Sequence, residues 1–194
     1  MSTHSHPDGT PLDRPGATLV CDTSMGDADE ACTRALAPAG DESILWVSYT
    51  HPPEDCLARL PAVPADRKSV IDVGGGTRSA ATNGGGGTAG DSRVSVADPN
   101  DLTGIGIAVA EHLADNDGVR VCFDSVTAML QYVGTDRAYT FLNSLLGHLW
   151  NADARAHFHF NPNAHDDATV AAITSLFDAR VDVNEESLTV RARD

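Results

Sequence analysis

The sequence predicts an α/β fold: a largely parallel sheet covered by helices on both faces, with an antiparallel hairpin at its C-terminal end. Three observations carry that expectation. Short apolar runs recur along the chain, each followed by a segment with apolar positions at helical spacing, the alternation of a parallel sheet and its crossover helices. Runs such as Ile44-Leu45-Trp46-Val47 and Val121-Cys122-Phe123 are apolar at successive positions, as strands buried on both faces are. The last two runs, Arg180 to Val183 and Ser187 to Arg191, are joined only by the turn Asn184-Glu185-Glu186.

Residues 1–16 are polar and proline-bearing without periodicity, so a disordered leader is expected there, with His4 and His6 as solvated tail residues. Residues 17–192 then read as one domain. Ala17 to Cys21 is a short buried strand, and Asp27-Ala28-Asp29-Glu30 opens a helix with Ala28, Ala31, Cys32, Ala35 and Leu36 at helical spacing. Ile44 to Tyr49 is the second strand. Pro52-Pro53 starts a short helix through Leu60, proline being well tolerated in a first turn. Ser69 to Val73 is the third strand. Residues 74–92 hold 8 of the chain's 17 glycines and no large apolar residue, so they cannot pack and read as a flexible surface loop. Arg93 to Ala97 is a brief strand, and Pro99-Asn100-Asp101 leads into a helix with Ile105, Val109 and Leu113 on one face. Val119 to Phe123 is the next strand, ending on Asp124-Ser125. After a loop or short helix, a long amphipathic helix runs from Arg137 to Trp150 with Phe141, Leu145, Leu146 and Leu149 as its stripe. Arg155 to Phe160 is a strand, Asp166 or Asp167 caps a helix carrying Val170, Ile173, Leu176 and Phe177, and the hairpin closes the chain.

The net charge is −15, from 28 acidic and 13 basic residues, which disfavours nucleic acid and anionic membrane as partners. The acid is 22 Asp to 6 Glu and the base 12 Arg to one lysine, Lys68. Short hydrated carboxylates with almost no lysine suit a salt-accumulating cytoplasm, where screening removes the self-repulsion. Cys21, Cys32, Cys56 and Cys122 form no C-x-x-C pair, and no apolar run reaches transmembrane length. A cytoplasmic protein with reduced thiols serving as small core residues is expected.

Ligands of open α/β sheets bind at the carboxyl ends of the strands. The first such turn reads Cys21-Asp22-Thr23-Ser24-Met25-Gly26-Asp27-Ala28. A phosphate loop needs glycines, a lysine and a magnesium-binding hydroxyl. With Gly26 as its second glycine, Asp27 stands at the lysine position, Ala28 at the hydroxyl position and Cys21 at the first glycine. Asp22, Asp27 and Asp29 would add repulsion toward a triphosphate.

Val121-Cys122-Phe123-Asp124-Ser125-Val126-Thr127 resembles the second acidic motif of RecA-like P-loop ATPases, most closely the KaiC-type branch. Ile44 to Tyr49 followed by Thr50-His51 resembles the KaiC-type strand that ends in paired catalytic glutamates, with Thr50 and His51 at the glutamate positions. The stretch from Phe177 to Arg191 is similar to that family's closing hairpin, and Asp101-Leu102-Thr103-Gly104-Ile105-Gly106 is similar to an uncharacterised haloarchaeal family of RecA-like proteins. The resemblance implies a RecA-like fold over residues 17–192 and a vestigial nucleotide site at Gly26, Asp124 and Ser125. Phosphoryl transfer depends on a lysine, magnesium and a base that orients water. With lysine, hydroxyl and base replaced, a non-catalytic regulatory or adaptor domain acting through protein contacts is expected, self-association among them, with no cofactor and with Mg-ATP disfavoured.

Two other motifs point to enzymes. Asp72-Val73-Gly74-Gly75-Gly76-Thr77 looks like the first motif of S-adenosylmethionine-dependent methyltransferases, and like a phosphate loop of actin-like ATPases. His157, His159 and His165 have the spacing of a hydrolytic metal site, with His157 and His159 on one face of a strand.

Overall fold

A computed structural model of the chain describes residues 16–22, 36, 40–60, 63–74, 93–184 and 187–192. The apolar runs form eight strands: β1 (Gly16–Asp22), β2 (Ser43–Ser48), β3 (Lys68–Val73), β4 (Arg93–Ala97), β5 (Val119–Asp124), β6 (Arg155–Phe160), β7 (Ala179–Asn184) and β8 (Ser187–Ala192). They make one sheet in the order β4-β3-β2-β5-β6-β1-β7-β8. The first seven in that order run parallel, and β8 pairs antiparallel with β7 at the edge. The expected α/β fold and its closing hairpin are what the chain forms. Gly16, read as leader, already pairs with Arg155.

Among the described residues five α-helices lie between the strands: α1 (Pro53–Arg59), α2 (Leu102–Asp115), α3 (Val126–Met129), α4 (Thr135–Asn151) and α5 (Asp167–Thr174). Side-chain oxygens of Asp101, Ser125 and Asp166 accept from the backbone N–H groups of Gly104, Ala128 and Thr169, which stops the chain sharply at the N-termini of α2, α3 and α5. The stripe of α4 differs from expectation. Ala138, Leu142, Leu145 and Leu149 are its buried residues, whereas Phe141 and Leu146 lie at the margin. Phe141 turns toward α2, close to Gly106, and its ring lies 6.4 Å from that of Phe123 on β5, so it packs at the margin where α2, α4 and the sheet meet. Leu176 and Phe177 fall beyond the end of α5, where Phe177 packs edge-on against Phe158, 5.1 Å between centroids.

The two sheet faces differ in chemistry. One packs Leu19, Val47, Ile71, Phe123 and Phe158 beneath Ile105, Val109, Met129, Leu142 and Leu145 of α2, α3 and α4, with Phe123 and Phe158 stacked at 5.3 Å. Such continuous apolar burial at about 25 cal/mol per Å² is the main stabilising contribution. The opposite face packs Ile44, Trp46, Val70 and Cys122 with Cys56 of α1, Leu60 and Leu36, and it also buries Ser48, Asp72, Arg120, His157 and His159. At its amino edge the Glu42 carboxylate accepts from Arg120 Nε (2.6 Å) and from Arg155, so these buried or half-buried charges neutralise one another.

The leader up to residue 15, all but Leu36 of the helix expected from Asp27 to Leu36, loop residues 75–92 and Glu185-Glu186 lie outside the described residues, and Leu36 itself is a buried turn residue. Cys21, Cys56 and Cys122 are buried and form no disulfide, as small core residues; Cys32 lies outside the described residues. Among the described residues, no helix is long and apolar enough to cross a membrane.

Candidate functional site

Strands β2 and β5 are neighbours, yet the chain leaves β2 for β3 on one side and β5 for β6 on the other. This divergence makes the crevice at their carboxyl ends the expected ligand position. The register there sets Ser48 of β2 between Asp72 of β3 and Asp124 of β5, a carboxylate–hydroxyl–carboxylate row on one face.

Asp124 is tied down from the β2 side. Thr50 Oγ1 donates to Asp124 Oδ2 at 2.5 Å, and His51 Nδ1 lies 3.0 Å from the same oxygen and 2.8 Å from Thr50 Oγ1. Arg59 of α1 stands 3.1 Å from His51 Nε2. Because a guanidinium only donates, Nε2 accepts, the ring proton sits on Nδ1, and the imidazole donates toward Asp124. Ser48 fixes the turn that presents these groups: its hydroxyl donates to the His51 carbonyl and accepts from the His51 N–H, both at 2.9 Å. Tyr49 N–H donates to the Asp124 carbonyl at 2.6 Å, continuing the β2–β5 ladder past the last strand residue. Cys56 lies beneath, its thiol directed at the His51 carbonyl. Burial foremost, and then the charges of Asp124 and Asp72, push that thiol up to about 12 against the Ser48 hydrogen bond and Arg59, which leaves it protonated and unreactive.

Of the nucleotide-site residues read from the sequence, Asp124 and Ser125 are in this crevice and Gly26 lies outside the described residues. Ser125 is committed to capping α3, its Oγ accepting from Ala128 N–H at 3.1 Å, and the Asp124–Ser125 peptide is cis. Asp22 ends β1 on the same edge, but β6 intervenes between β1 and β5, which separates the two acids by roughly 10 Å at ordinary strand spacing. Cys21 points to the other face, where burial chiefly raises its thiol to about 11.

The methyltransferase-like motif contributes Asp72, which is buried among the α1-side residues, and Gly74, whose φ of +86° suits glycine and whose N–H donates to the Ala97 carbonyl. Residues 75–77 lie outside. The histidine triplet does not assemble. His157 and His159 share the α1-side face, whereas His165 stacks on Phe160 of the opposite face, 5.2 Å between centroids and nearly parallel. Alternation along β6 separates Phe160 from the two histidines, and His165 follows it. In its place the register brings Cys122 opposite His157.

Sequence reasoning missed Arg59 and the bonds from Thr50 and His51 to Asp124, residues 73 and 74 positions apart. It also missed Cys122 as a neighbour of the histidines. The only signal for either was strand adjacency, which no local pattern encodes.

On the outer surface α2 and α4 border a groove of about 720 Å³ lined by Leu102, Gly106, Ile107, Phe141, Leu145 and His148 among others.

Residues 15–183 match the DUF7504 family, a family of unknown function, and the chain belongs to that family. No curated protein matches it. Among solved structures, the chain is similar to a Pyrococcus horikoshii OT3 protein from the structural study of Project ID PH0250, with a TM-score of 0.62 and 11% identity over 92% of this chain and 87% of that one. Likeness at that identity speaks to the fold alone.

Proposed function

We propose that this DUF7504 chain is a RecA/KaiC-like domain that has kept its scaffold and given up phosphoryl transfer, and that it acts as a regulatory or adaptor module through protein contacts. The observation that carries the reading is the state of Asp124. In a working site of this type the acid at this strand end faces magnesium and solvent, and a neighbouring base orients the attacking water. Here the two residues at the base positions, Thr50 and His51, direct a hydroxyl proton and an imidazole proton onto the carboxylate itself. An acid satisfied from within the fold has lost much of its capacity for a cation. Ser125, the hydroxyl beside it, is likewise consumed as a helix cap.

The outer surface supports the protein-contact half of the reading. Ile107, Tyr132, Tyr139 and Trp150 are large apolar side chains exposed to solvent on or beside α2 and α4, with Trp150 65% exposed. Of these Ile107 lines the groove between α2 and α4, and the three aromatic residues stand outside its lining; exposed apolar and aromatic side chains are the usual ingredients of an interface core.

A thermal-shift titration in multimolar KCl tests the nucleotide half, comparing Mg-ATP, Mg-ADP and no ligand. No change in melting temperature is expected. A reproducible nucleotide-dependent rise that disappears in Asp124→Ala, each protein measured against its own ligand-free baseline, overturns the reading. Light scattering on the same samples reports whether the contact is with a second copy.

A further inference from the structure

We propose that Cys122, His157 and His159 form a binding site for zinc within the α1-side face of the sheet. The three ligands are other residues than Thr50, His51 and Arg59, which surround Asp124 in the nucleotide reading.

Two adjacent strands build it. His157 and His159 stand two apart on β6 and so share a face, and Cys122 of β5 is the register partner of His157. One ligand atom from each, a sulfur and two imidazole nitrogens, lies within 4.8 Å of the other two. The two rings meet edge to face, 5.3 Å between centroids. All three residues are at least nine-tenths buried, with 0%, 3% and 8% of their surfaces exposed.

Chemistry selects the ion. Thiolate and imidazole are the donors zinc takes, whereas magnesium and calcium require oxygen. Geometry is close to what zinc needs. A triangle with edges of 4.8 Å, the upper bound here, has its centre about 2.8 Å from each corner, so the sulfur must close by at most about 0.5 Å and each nitrogen by at most about 0.8 Å to reach bonds of ~2.0–2.3 Å. Binding ionises the Cys122 thiol and releases its proton, so affinity rises with pH. The thiolate also supplies a negative charge that offsets the ion inside the fold, while the nearby Arg120 is already neutralised by Glu42.

The test uses the full chain, purified in multimolar KCl, stripped with chelator and titrated separately with zinc, magnesium and cobalt(II). One equivalent of zinc retained through gel filtration is expected, no magnesium, and a near-ultraviolet thiolate-to-cobalt charge-transfer band. Cys122→Ser abolishes the band, and both Cys122→Ser and His159→Gln weaken zinc at least tenfold, the loss typical of a damaged metal site. His165→Gln leaves zinc binding unchanged. Less than a tenth of an equivalent of zinc overturns the proposal. Zinc binding that survives both Cys122→Ser and His159→Gln overturns it as well, because the ion then sits on surface groups. Circular dichroism verifies that each variant is folded; should Cys122→Ser not fold, an absent cobalt charge-transfer band in the unaltered chain is by itself sufficient to refute the site.

Discussion

Replacing Asp124 by alanine separates two meanings of the same residue by the sign of one measurement. If Asp124 is a clasp between β5 and the turn after β2, alanine leaves the Thr50 hydroxyl and the His51 N–H without their acceptor. A hydrogen bond to a charged group contributes about 1.5–3 kcal/mol. Thr50 is exposed and the His51 side chain is 27% exposed, so water recovers part of each bond. Two bonds at the low end of that range, discounted for solvent, give a loss of about 2 kcal/mol, or ~4–8 °C in melting temperature for a chain of this size. Denaturant unfolding in multimolar KCl measures the free energy directly. Thr50→Val combined with Asp124→Ala in a double-mutant cycle should show a coupling of at least ~0.5 kcal/mol, because both changes break the same bond. A functional acid retained for a ligand behaves in the opposite way, since active-site charges are commonly held at a cost in stability. An Asp124→Ala protein as stable as the parent, or more stable, refutes the clasp and with it the main support for a closed site.

Other outcomes follow from the same structure. Glu42→Ala should cost about 3 kcal/mol, the lower end for a broken buried ion pair, because Arg120 keeps its charge in the interior; a loss under ~1 kcal/mol would show that the pair contributes little. His165 should titrate below its ordinary 6.5, burial against Phe160 being the main cause and outweighing the opposing charge of Asp166. The folded state then binds that proton less tightly than the unfolded one, so the stability it contributes is complete above ~6.5 and is lost as pH falls through the depressed value. An imidazole midpoint at or above 6.5 by NMR contradicts this. Dilution below roughly molar salt should loosen or unfold the chain as its carboxylates lose their screening, and an unchanged circular dichroism spectrum in dilute buffer counts against that.

Much of the fold was legible because strands buried on both faces write themselves as apolar runs. All eight were placed within two residues at each end, and the Arg155 to Phe160 and Arg93 to Ala97 boundaries coincide with the structure. Helix limits were less clear. The expected α4 stripe runs through Phe141 and Leu146, whereas the buried line runs through Ala138 and Leu142. Hydropathy does not separate the two lines, because residues at the margin of the buried stripe are as apolar as those at its centre. The site was legible only as separate pieces. Asp124 and the Thr50-His51 substitution were each visible, yet nothing local states that β2 lies beside β5. The same holds for Cys122, whose position opposite His157 is a fact of register. His165 shows the converse: spacing joined it to two residues from which strand alternation divides it.

The strand order also carries a consequence for how the chain comes into being. β1 lies inside the sheet, but its neighbours are β6 and β7, so Gly16 must wait for Arg155, and Thr18 for Ala179. On a ribosome, β1 emerges before both of its partners and stays unpaired until β6 has been synthesised. Strands β2, β3, β4 and β5 can zip together in the meantime through β2's pairings with β3 and β5. Closure of the half-sheet onto β1 is therefore a late, long-range event of the kind that slows folding and exposes unpaired edges. A chain released before β6 is made would hold a four-stranded partial sheet beside a stranded first strand, a natural client for chaperones.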